Sequence, residues 1–330
     1  MLNVFLTIDT EIWPHSPGWP VKPLPSDKCD FTEEIAAYIY GTTPKGDFGL
    51  PYQTQQFKEH GLKANYFVEA LFSERSGDST LTDVVNLIQN HGHEVQLHLH
   101  TEWLSEISNR NIPAQFREFM HQYSLDEQTA LIKKGIQNLH AAGAEKIHAF
   151  RAGSYGANLD TLRALLQSDI HYDTSYNPCY LGSDCTIQTN QLLLQPEKIE
   201  GVWEFPISFF QDYPGHRRHA QLCACSFYEL KTALLDAWKN GWFSFVVVLH
   251  SFELVKKRGG SLLPLPDKIA IERFQLLCNF LSANRDKFNT ALFSEIDTNI
   301  IPNGHPVRPL RSRFMHTAWR FAEQGVGRLN

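Results

Sequence analysis

The sequence has no hydrophobic run long enough to cross a membrane. A membrane-spanning helix needs about 20 predominantly apolar residues, whereas the densest apolar run, residues 243–249, has the length of a strand. Residues 1–9 lack a basic region, a long apolar region and a small-residue cleavage site, so we interpret them as a strand rather than a signal peptide. We therefore expect no transmembrane segment.

Cysteine is sparse, with 6 residues in a chain of 330. These cysteines do not show the paired spacing that is typical of small secreted scaffolds held together by disulfides. We expect reduced thiols and a cytoplasmic location.

A strong excess of charge of one sign is also absent. The 30 Lys and Arg residues face 36 Asp and Glu residues, which gives a net charge of −6. This balance argues against a protein that coats nucleic acid or an acidic membrane through its overall field. The hydrophobic fraction of 42% and the charged fraction of 20% are typical of a folded globular chain. Histidine, in contrast, is abundant at 15 residues, and it is the usual metal ligand and proton carrier of proteins.

Short strand-like runs alternate with amphipathic helical patterns along most of the chain. The predicted strands are residues 3–8, 64–68, 94–99, 148–151, 204–207 and 243–249, and the predicted helices between and after them include 51–60, 159–166 and 267–281. Two further helices begin at capping boxes, Ser124 with Glu127 and Ser226 with Glu229. This alternation predicts an α/β fold with a parallel sheet inside and helices outside.

We find no internal repeat and no Gly/Ser-rich linker, so one domain is favoured over two. We assign residues 1–300 to this domain, with a proline-rich insertion at about 12–50. Residues 301–330 are predicted to form a basic, helical C-terminal extension.

Polar side chains stand where several predicted strands end. Asp9 and Glu11 follow the first strand, and two residues apart in extended backbone they point the same way. One carboxylate of such a pair can bind a metal while the other takes a proton from water. Loop or helix-capping carboxylates are the alternative interpretation.

The densest histidine cluster follows the third strand. His98 and His100 share one strand face, and Glu102 lies four residues beyond His98, on the same side if the chain turns helical there. A buried hydrogen-bonded histidine pair is the alternative. Arg151 ends another strand, where its guanidinium could orient a carboxylate. His250 ends the strand at 243–249, where a general acid or base would lie, although a structural histidine fits this position too.

Taken together, these segments resemble the polysaccharide deacetylase superfamily, also called NodB-homology or carbohydrate esterase family 4, in its branch with Asp-x-Glu in the first motif. The resemblance rests on six segments in order: Thr7-Ile8-Asp9-Thr10-Glu11, Ala64-Asn65-Tyr66-Phe67-Val68, Gly92-His93-Glu94-Val95 through His98, Phe150-Arg151-Ala152-Gly153, Glu204-Phe205-Pro206-Ile207 and Leu249-His250. It implies a distorted (β/α) barrel, one divalent metal ion with zinc as the first choice, and hydrolysis of an acetyl group on a carbohydrate.

The resemblance also implies roles for single residues. Asp9 matches the general base, Arg151 the residue that orients it, and His250 the general acid. Glu11 matches the metal-binding carboxylate and His98 the first metal-binding histidine.

One position departs from the family pattern. The family usually has a second metal-binding histidine four residues after the first, and here that position is Glu102. A carboxylate can bind Zn²⁺ and suits harder metals better. We therefore predict that Glu11, His98 and Glu102 bind the metal, with His100 as the alternative to Glu102.

The sequence thus favours a metal-dependent enzyme that removes N-acetyl groups from a carbohydrate during polysaccharide biosynthesis or modification. Two alternatives stay open: the same fold acting on another amide, such as a formamido sugar or a small cyclic amide, and a non-catalytic glycan-binding or scaffold barrel with a degenerate metal site. A second group could also bind metal through His216, His219, Cys223 and Cys225. Within that group, Arg217 and Arg218 could instead contact acidic glycans or phosphate.

Overall fold

The chain alternates strands and helices much as its sequence pattern predicts. The computed structural model describes residues 1–25, 31–107, 116–256, 264–302 and 307–329. Its strands are β1 (Leu2–Thr10), β2 (Thr42–Thr43), β3 (Gly46–Asp47), β4 (Asn65–Glu69), β5 (Glu94–Leu99), β6 (Ala149–Ala152), β7 (Tyr172–Asp173), β8 (Glu197–Ile199), β9 (Val202–Glu204), β10 (Phe209–Tyr213), β11 (His216–His219), β12 (Ser244–His250), β13 (Val255–Lys256), β14 (Leu265–Pro266), β15 (Phe288–Thr290) and β16 (Leu310–Arg311).

The α-helices are α1 (Thr32–Glu34), α2 (Leu50–Glu59), α3 (Ser73–Ser76), α4 (Asp78–Asn90), α5 (Leu125–Ala141), α6 (Leu159–Leu166), α7 (Phe227–Lys239), α8 (Lys268–Ala283) and α9 (Phe314–Leu329). Both predicted capping boxes are present. Ser124 begins α5 and Ser226 begins α7, and in each the serine side chain accepts a hydrogen bond from the backbone of the glutamate three residues later. No helix in the described ranges is long and apolar enough to span a bilayer.

The main sheet has the strand order β12-β1-β4-β5-β6-β7-β9-β8, and β15 pairs with the beginning of β1. Its neighbours are parallel except for the last pair, β8 and β9. The sheet curls into a half barrel, which confirms the predicted α/β class and the distorted barrel. The strand predicted at 204–207 begins earlier, as β9, because Val202–Glu204 pairs with β7 and β8.

The sheet is buried on both faces, which explains why its strands are almost continuously apolar. On one face, Leu6 and Ile8 belong to the large core that lies under the helices. On the other face, Phe5 packs with Phe205 and Phe293 inside the curl. Because side chains alternate along a strand, Thr7 and Asp9 lie on the same face as Phe5, toward the inside of the curl.

The predicted insertion at about 12–50 holds α1, a wider π-type turn over Ile35–Tyr40, and the β2–β3 hairpin. Residues 26–30 of this segment, with Cys29, lie outside the described part of the chain. The predicted C-terminal extension contains α9, and β16 within it pairs with β10 in a small sheet that also includes β11. Residues 303–306 and 330 of the extension also lie outside the described part.

Candidate active site

The register of the sheet brings the polar strand-end residues together. Asp9 on β1 lies opposite His250 on β12, and His98 on β5 lies opposite Arg151 on β6. Since β1, β4, β5 and β6 are parallel neighbours, the carboxyl ends of these strands form one rim of the half barrel. The residues that sequence analysis selected therefore meet at one place.

A cavity of about 220 Å³ opens at this rim. It is lined by Asp9, Glu11, Trp13, His98, His100, Ala152, Ser154, Tyr155, Tyr180, His219, Gln221 and His250. Asp9, Glu11, His98 and His100 of this lining are buried, so their charges interact through protein rather than through water.

Arg151 fixes the carboxylate of Asp9 from below the cavity. Its guanidinium is fully buried, and Nη1 donates to Asp9 Oδ1 at 2.5 Å. Nη2 donates to Thr7 Oγ1 at 2.8 Å, and Nε donates to the Thr174 carbonyl at 3.3 Å. The guanidinium also lies over the ring of Phe67, at 4.5 Å. These contacts hold Arg151 in one orientation, and its guanidinium in turn orients the carboxylate of Asp9.

Three side chains form a compact group suited to a metal ion. Glu11 Oε2 lies 2.8 Å from His100 Nε2 and 3.4 Å from His98 Nε2. Among the residues that the structure describes, these three are the group of possible ligands whose donor atoms all lie within 4.8 Å of one another. Two imidazoles and one carboxylate are a common donor set of catalytic zinc sites, which keep a further position open.

The hydrogen bonds at Nδ1 of the two histidines, on the side of each ring away from Glu11, support this interpretation. His98 Nδ1 donates to the Arg151 carbonyl at 2.8 Å, and His100 Nδ1 donates to Glu102 Oε2 at 3.2 Å. A proton on Nδ1 leaves the Nε2 lone pair available to a metal, and such outer hydrogen bonds usually accompany histidine ligands. The residues present therefore fit a divalent metal.

Glu102, the predicted third ligand, lies next to this group and contacts His100. Its carboxylate lies on the Nδ1 side of His100, and it is not part of the Glu11, His98 and His100 group. Residues Thr101–Glu106 form a 3₁₀-helix, whose tighter turn differs from the α-helical spacing assumed for Glu102. His100, the alternative from sequence, occupies the third place in the group.

The charges in the group stabilise one another. Burial alone would raise the pKa of Glu11, but His100 and His98 beside it hold that pKa well below its usual value. Burial alone would lower the pKa of His100, but the carboxylates of Glu102 and Glu11 raise it well above its usual value. A buried positive charge is therefore favoured between these carboxylates, and a divalent cation would also supply one.

His250 has a partner that sequence analysis missed. Its Nδ1 lies 2.9 Å from Glu253 Oε1, and its Nε2 lies 3.9 Å from both Asp9 Oδ2 and Glu11 Oε1. Burial opposes the imidazolium, but Glu253 outweighs it and raises the pKa of His250 to about 9. The His-x-x-Glu spacing was the available signal, since it places the two side chains together across a turn.

Gly153 makes room for the imidazole of His100. A Cβ atom at position 153 would lie 2.6 Å from His100 Nδ1, closer than van der Waals contact allows. The next two residues, Ser154 and Tyr155, have positive φ angles of 51° and 59°, which are uncommon outside glycine. Backbone strain therefore accumulates in the turn that supports the site.

The second cluster suggested by the sequence does not converge on one point. His216 Nδ1 contacts Asp212 at 2.6 Å, and His219 Nε2 contacts Gln221 at 2.8 Å. Cys223 Sγ lies 3.4 Å from Glu253, and Cys225 Sγ donates to the backbone carbonyl of His219. In the described ranges these four residues do not form a group with metal-binding distances.

Asp9, Glu11, His98 and His250 thus line one cavity, and Arg151 contacts it through Asp9. The residues that sequence analysis missed are Tyr180, Gln221 and Glu253. Tyr180 stacks on Tyr155 with ring centroids 5.6 Å apart. Tyr180 and Gln221 lie on loops that only the fold brings to the rim, so local sequence patterns gave no signal for them.

Comparison of the sequence with protein-family models and with curated proteins finds no match. Comparison with solved structures does. A proposed polysaccharide deacetylase from Mycobacterium smegmatis aligns over 93% of this chain and 94% of its own, with a TM-score of 0.58 and 17% identity. This similarity confirms the fold that the resemblance to polysaccharide deacetylases implies, and at 17% identity it establishes the fold alone.

Two more distant structures also align. A family 4 carbohydrate esterase from Streptomyces lividans aligns over 92% of this chain and 97% of its own, with 11% identity and a TM-score of 0.42. A family 4 pseudoenzyme from Bacillus anthracis aligns over 94% of this chain and 69% of its own, with 11% identity and a TM-score of 0.42.

Proposed function

We propose that the chain is a metal-dependent hydrolase that removes N-acetyl groups from a carbohydrate. One observation carries this proposal: a metal-binding donor set, an ion-paired carboxylate and a carboxylate-linked histidine all face one cavity. Amide hydrolysis needs these three functions within reach of one carbonyl group.

Glu11, His98 and His100 would hold the metal, with zinc as our first choice because of their nitrogen and carboxylate donors. A divalent metal there supplies positive charge that polarises a carbonyl oxygen and makes water more acidic. Glu102 and the Arg151 carbonyl keep the two imidazoles in the tautomer and orientation that this role needs.

Asp9 is placed to act as the general base. Oδ1 is held by Arg151, and Oδ2 remains on the side of His250, 3.9 Å away. Oδ2 can therefore accept a proton from the attacking water, while the ion pair with Arg151 keeps the carboxylate oriented.

His250 is placed to act as the general acid. An amine leaves an amide far more readily when its nitrogen is protonated, so the reaction needs a proton donor near that nitrogen. Glu253 holds Nδ1 and favours the imidazolium, which leaves the Nε2 proton directed toward the cavity. The aromatic rings of Trp13, Tyr155 and Tyr180 at the cavity offer surfaces for a sugar ring.

Acetate release from chitotetraose, measured with purified protein and added Zn²⁺, Mn²⁺ or Co²⁺, tests the proposal. We expect metal-dependent release from the wild type and a loss of at least 100-fold in Asp9→Asn, since general base catalysis contributes about 10²–10⁴-fold. Asp126→Asn, which alters an exposed carboxylate on α5, is the matched control and should keep the wild-type rate. Full activity in Asp9→Asn would refute the assigned role.

The same experiment separates the alternatives. If the protein released formate from an N-formylated amino sugar but no acetate from the acetylated sugar, the substrate would be a formamido sugar rather than an acetamido sugar. Failure to bind metal or to release either acid would favour the non-catalytic barrel. The absence of a second histidine at position 102 motivated that last alternative, and His100 offers a second imidazole in its place. The cytoplasmic location remains a prediction from the sparse cysteines.

A further inference from the structure

A second groove opens beside the catalytic cavity. Its volume is about 400 Å³, and it shares Tyr180, His219 and Gln221 with the lining of the cavity. Tyr180 stands between the two spaces, with its ring 5.6 Å from those of both Tyr155 and His219. A substrate longer than one sugar residue can therefore extend from the cavity into the groove along an aromatic surface.

The charge of this groove is positive. Arg217 and Arg218 on β11 line it, and none of the described residues in its lining is a carboxylate. Arg218 is neutralised by buried Asp212, with 2.7 Å between Nε and Oδ2. Arg217 is exposed, and among the residues that the structure describes its Nη1 donates to an uncharged group, the Pro178 carbonyl, at 3.2 Å. Its guanidinium packs over the ring of Phe209, at 5.7 Å.

We propose that this groove binds an anionic group of the substrate, either a carboxylate on the sugar next to the acetylated one or a phosphate attached to the acetylated sugar. A guanidinium presents paired donors that match the oxygens of both groups. This inference rests on the proposed function for the position of the acetylated sugar, and it specifies an acidic glycan or a sugar phosphate as the substrate class. A neutral polymer would offer the guanidinium of Arg217 no negatively charged partner.

Calorimetric binding tests this inference whether or not the protein is active. The probes are a tetrasaccharide that alternates glucuronate with N-acetylglucosamine, neutral chitotetraose, and N-acetylglucosamine 1-phosphate. We expect the wild type to bind one of the anionic probes at least 10-fold more tightly than chitotetraose. The probe that binds distinguishes a carboxylate from a phosphate.

Arg217→Ala should remove most of that preference, a loss of about 10- to 100-fold for a hydrogen bond to a charged group. Arg217→Lys should restore part of it, and Lys198→Ala, which removes an exposed charge on β8, should change nothing. Equal affinity for neutral and anionic probes, or an unchanged preference in Arg217→Ala, would overturn the inference. Acetate release measured in parallel reports separately on the proposed function.

An independent observation concerns the C-terminal helix α9, whose apolar side faces solvent. The exposed fractions of Phe314, Met315, Trp319 and Phe321 are 85%, 79%, 52% and 54%. At 100° per residue these side chains occupy one side of the helix. A contiguous apolar surface of this kind usually marks a binding site.

Buried ionic contacts hold α9 in this orientation. Arg320, which is 1% exposed, contacts Glu229 Oε2 at 3.1 Å and Asp212 Oδ2 at 2.8 Å. Thr317 Oγ1 donates to Glu229 Oε1 at 2.9 Å. Turning the apolar side inward would leave the buried charges of Arg320, Glu229 and Asp212 without partners.

The charges beside this apolar surface indicate what covers it. Exposed Arg311 and Arg313 precede the helix. Arg313 lines a groove with Lys231, Lys239 and Asp236 of α7, so basic groups outnumber the carboxylate there. We infer that α9 binds a membrane surface that contains anionic lipids, since aromatic and basic groups together favour the headgroup region. A second copy of the chain would bring like charges together across the contact. This local surface is basic although the net charge of the chain is −6.

Sedimentation with vesicles of phosphatidylcholine, with and without 30% phosphatidylglycerol, tests this second inference. We expect binding that requires the anionic lipid, and at least a 10-fold loss of affinity in the double variant Phe314→Gln, Trp319→Gln. Leu181→Gln, which alters an exposed leucine outside α9, should bind as the wild type does. Absence of binding would overturn the inference. A wild-type dimer in light scattering that the double variant abolishes would also overturn it, because a second copy would then cover the surface.

Discussion

Arg151 and Asp9 form an almost completely buried ion pair, with 2.5 Å between Nη1 and Oδ1. The two residues are 142 positions apart in the chain and meet inside the curl of the sheet. The pair links the stability of the fold to the proposed base, because removing either charge leaves the other buried without its partner.

Arg151→Met should therefore destabilise the protein by about 3–5 kcal/mol, the usual result of breaking a buried pair. The free energy of unfolding in urea measures this change. Arg163→Met is the control, since Arg163 pairs with Asp160 and Glu200 at the surface and should change stability little. Similar values for the two variants would contradict the structural role of the Arg151–Asp9 pair.

Metal binding should distinguish His100 from Glu102. His100→Ala removes a proposed ligand, and we expect metal to be lost after dialysis against a buffered Zn²⁺ solution. Glu102→Gln removes only the partner of Nδ1, which typically weakens metal binding by about 10–100-fold. Metal content per protein, measured by mass spectrometry, gives the result. If Glu102→Gln lost metal as completely as His100→Ala, the assignment of Glu102 outside the ligand group would be wrong.

Gly153→Ala should disturb the metal site without unfolding the chain. The added methyl group would displace the His100 imidazole, which lies 2.6 Å from the position of the new Cβ. We expect weaker metal binding with an unchanged far-ultraviolet circular dichroism spectrum. Gly325→Ala on α9 is the control, since Gly325, like Gly153, does not have a positive φ and its Cβ would meet no atom within 4 Å. Equal metal affinity in the two variants would argue against contact between Gly153 and His100.

The pH dependence of the reaction should reflect Glu253. The pKa of His250 is raised to about 9, so its imidazolium is present at neutral pH and lost as the pH rises through that value. Glu253→Gln removes the negative charge that raises this pKa. The alkaline limb of kcat/KM should then move to lower pH. An unchanged limb would show that His250 is not the group that loses its proton there.

A buried pair of carboxyl groups should make stability depend on pH. Asp173 and Glu204 lie opposite each other on β7 and β9, and burial raises the pKa of both. The folded state therefore favours the protonated form, so stability is lost as the pH rises above about 4.3, where an unfolded glutamate ionises. Glu204→Gln should reduce this loss, by about 1.4 kcal/mol for each unit of raised pKa. Urea unfolding at pH 5 and pH 8 measures it, and Glu145→Gln, which alters an exposed glutamate after α5, is the control.

Local sequence patterns predicted most of the elements that carry the site. The alternation of strands and helices, the two capping boxes and the polar residues at strand ends depend on neighbours within a few positions. The structure confirms this α/β architecture and brings Asp9, His98 and His250 to one cavity. Parallel strands explain this success, because their carboxyl ends always meet at the same edge.

Local sequence patterns could not decide whether His100 or Glu102 is the third member of the proposed ligand group. His100 and Glu102 are two residues apart, and the choice depends on how the chain turns after β5. A 3₁₀-helix at Thr101–Glu106 places Glu102 behind the imidazole of His100. Local spacing is compatible with either turn, so the packing of this segment decides the outcome.

The sequence by itself determined the main strands, the polar residues at their ends and the fold class, because hydrophobic periodicity and helix caps are local properties. Only the tertiary structure decided which side chains face each other, as Arg151 does with Asp9 and Glu253 with His250. It also decided that α9 turns Arg320 toward the protein and its aromatic rings toward solvent. These relationships depend on strand register and helix orientation, which are fixed by packing between segments far apart in the chain.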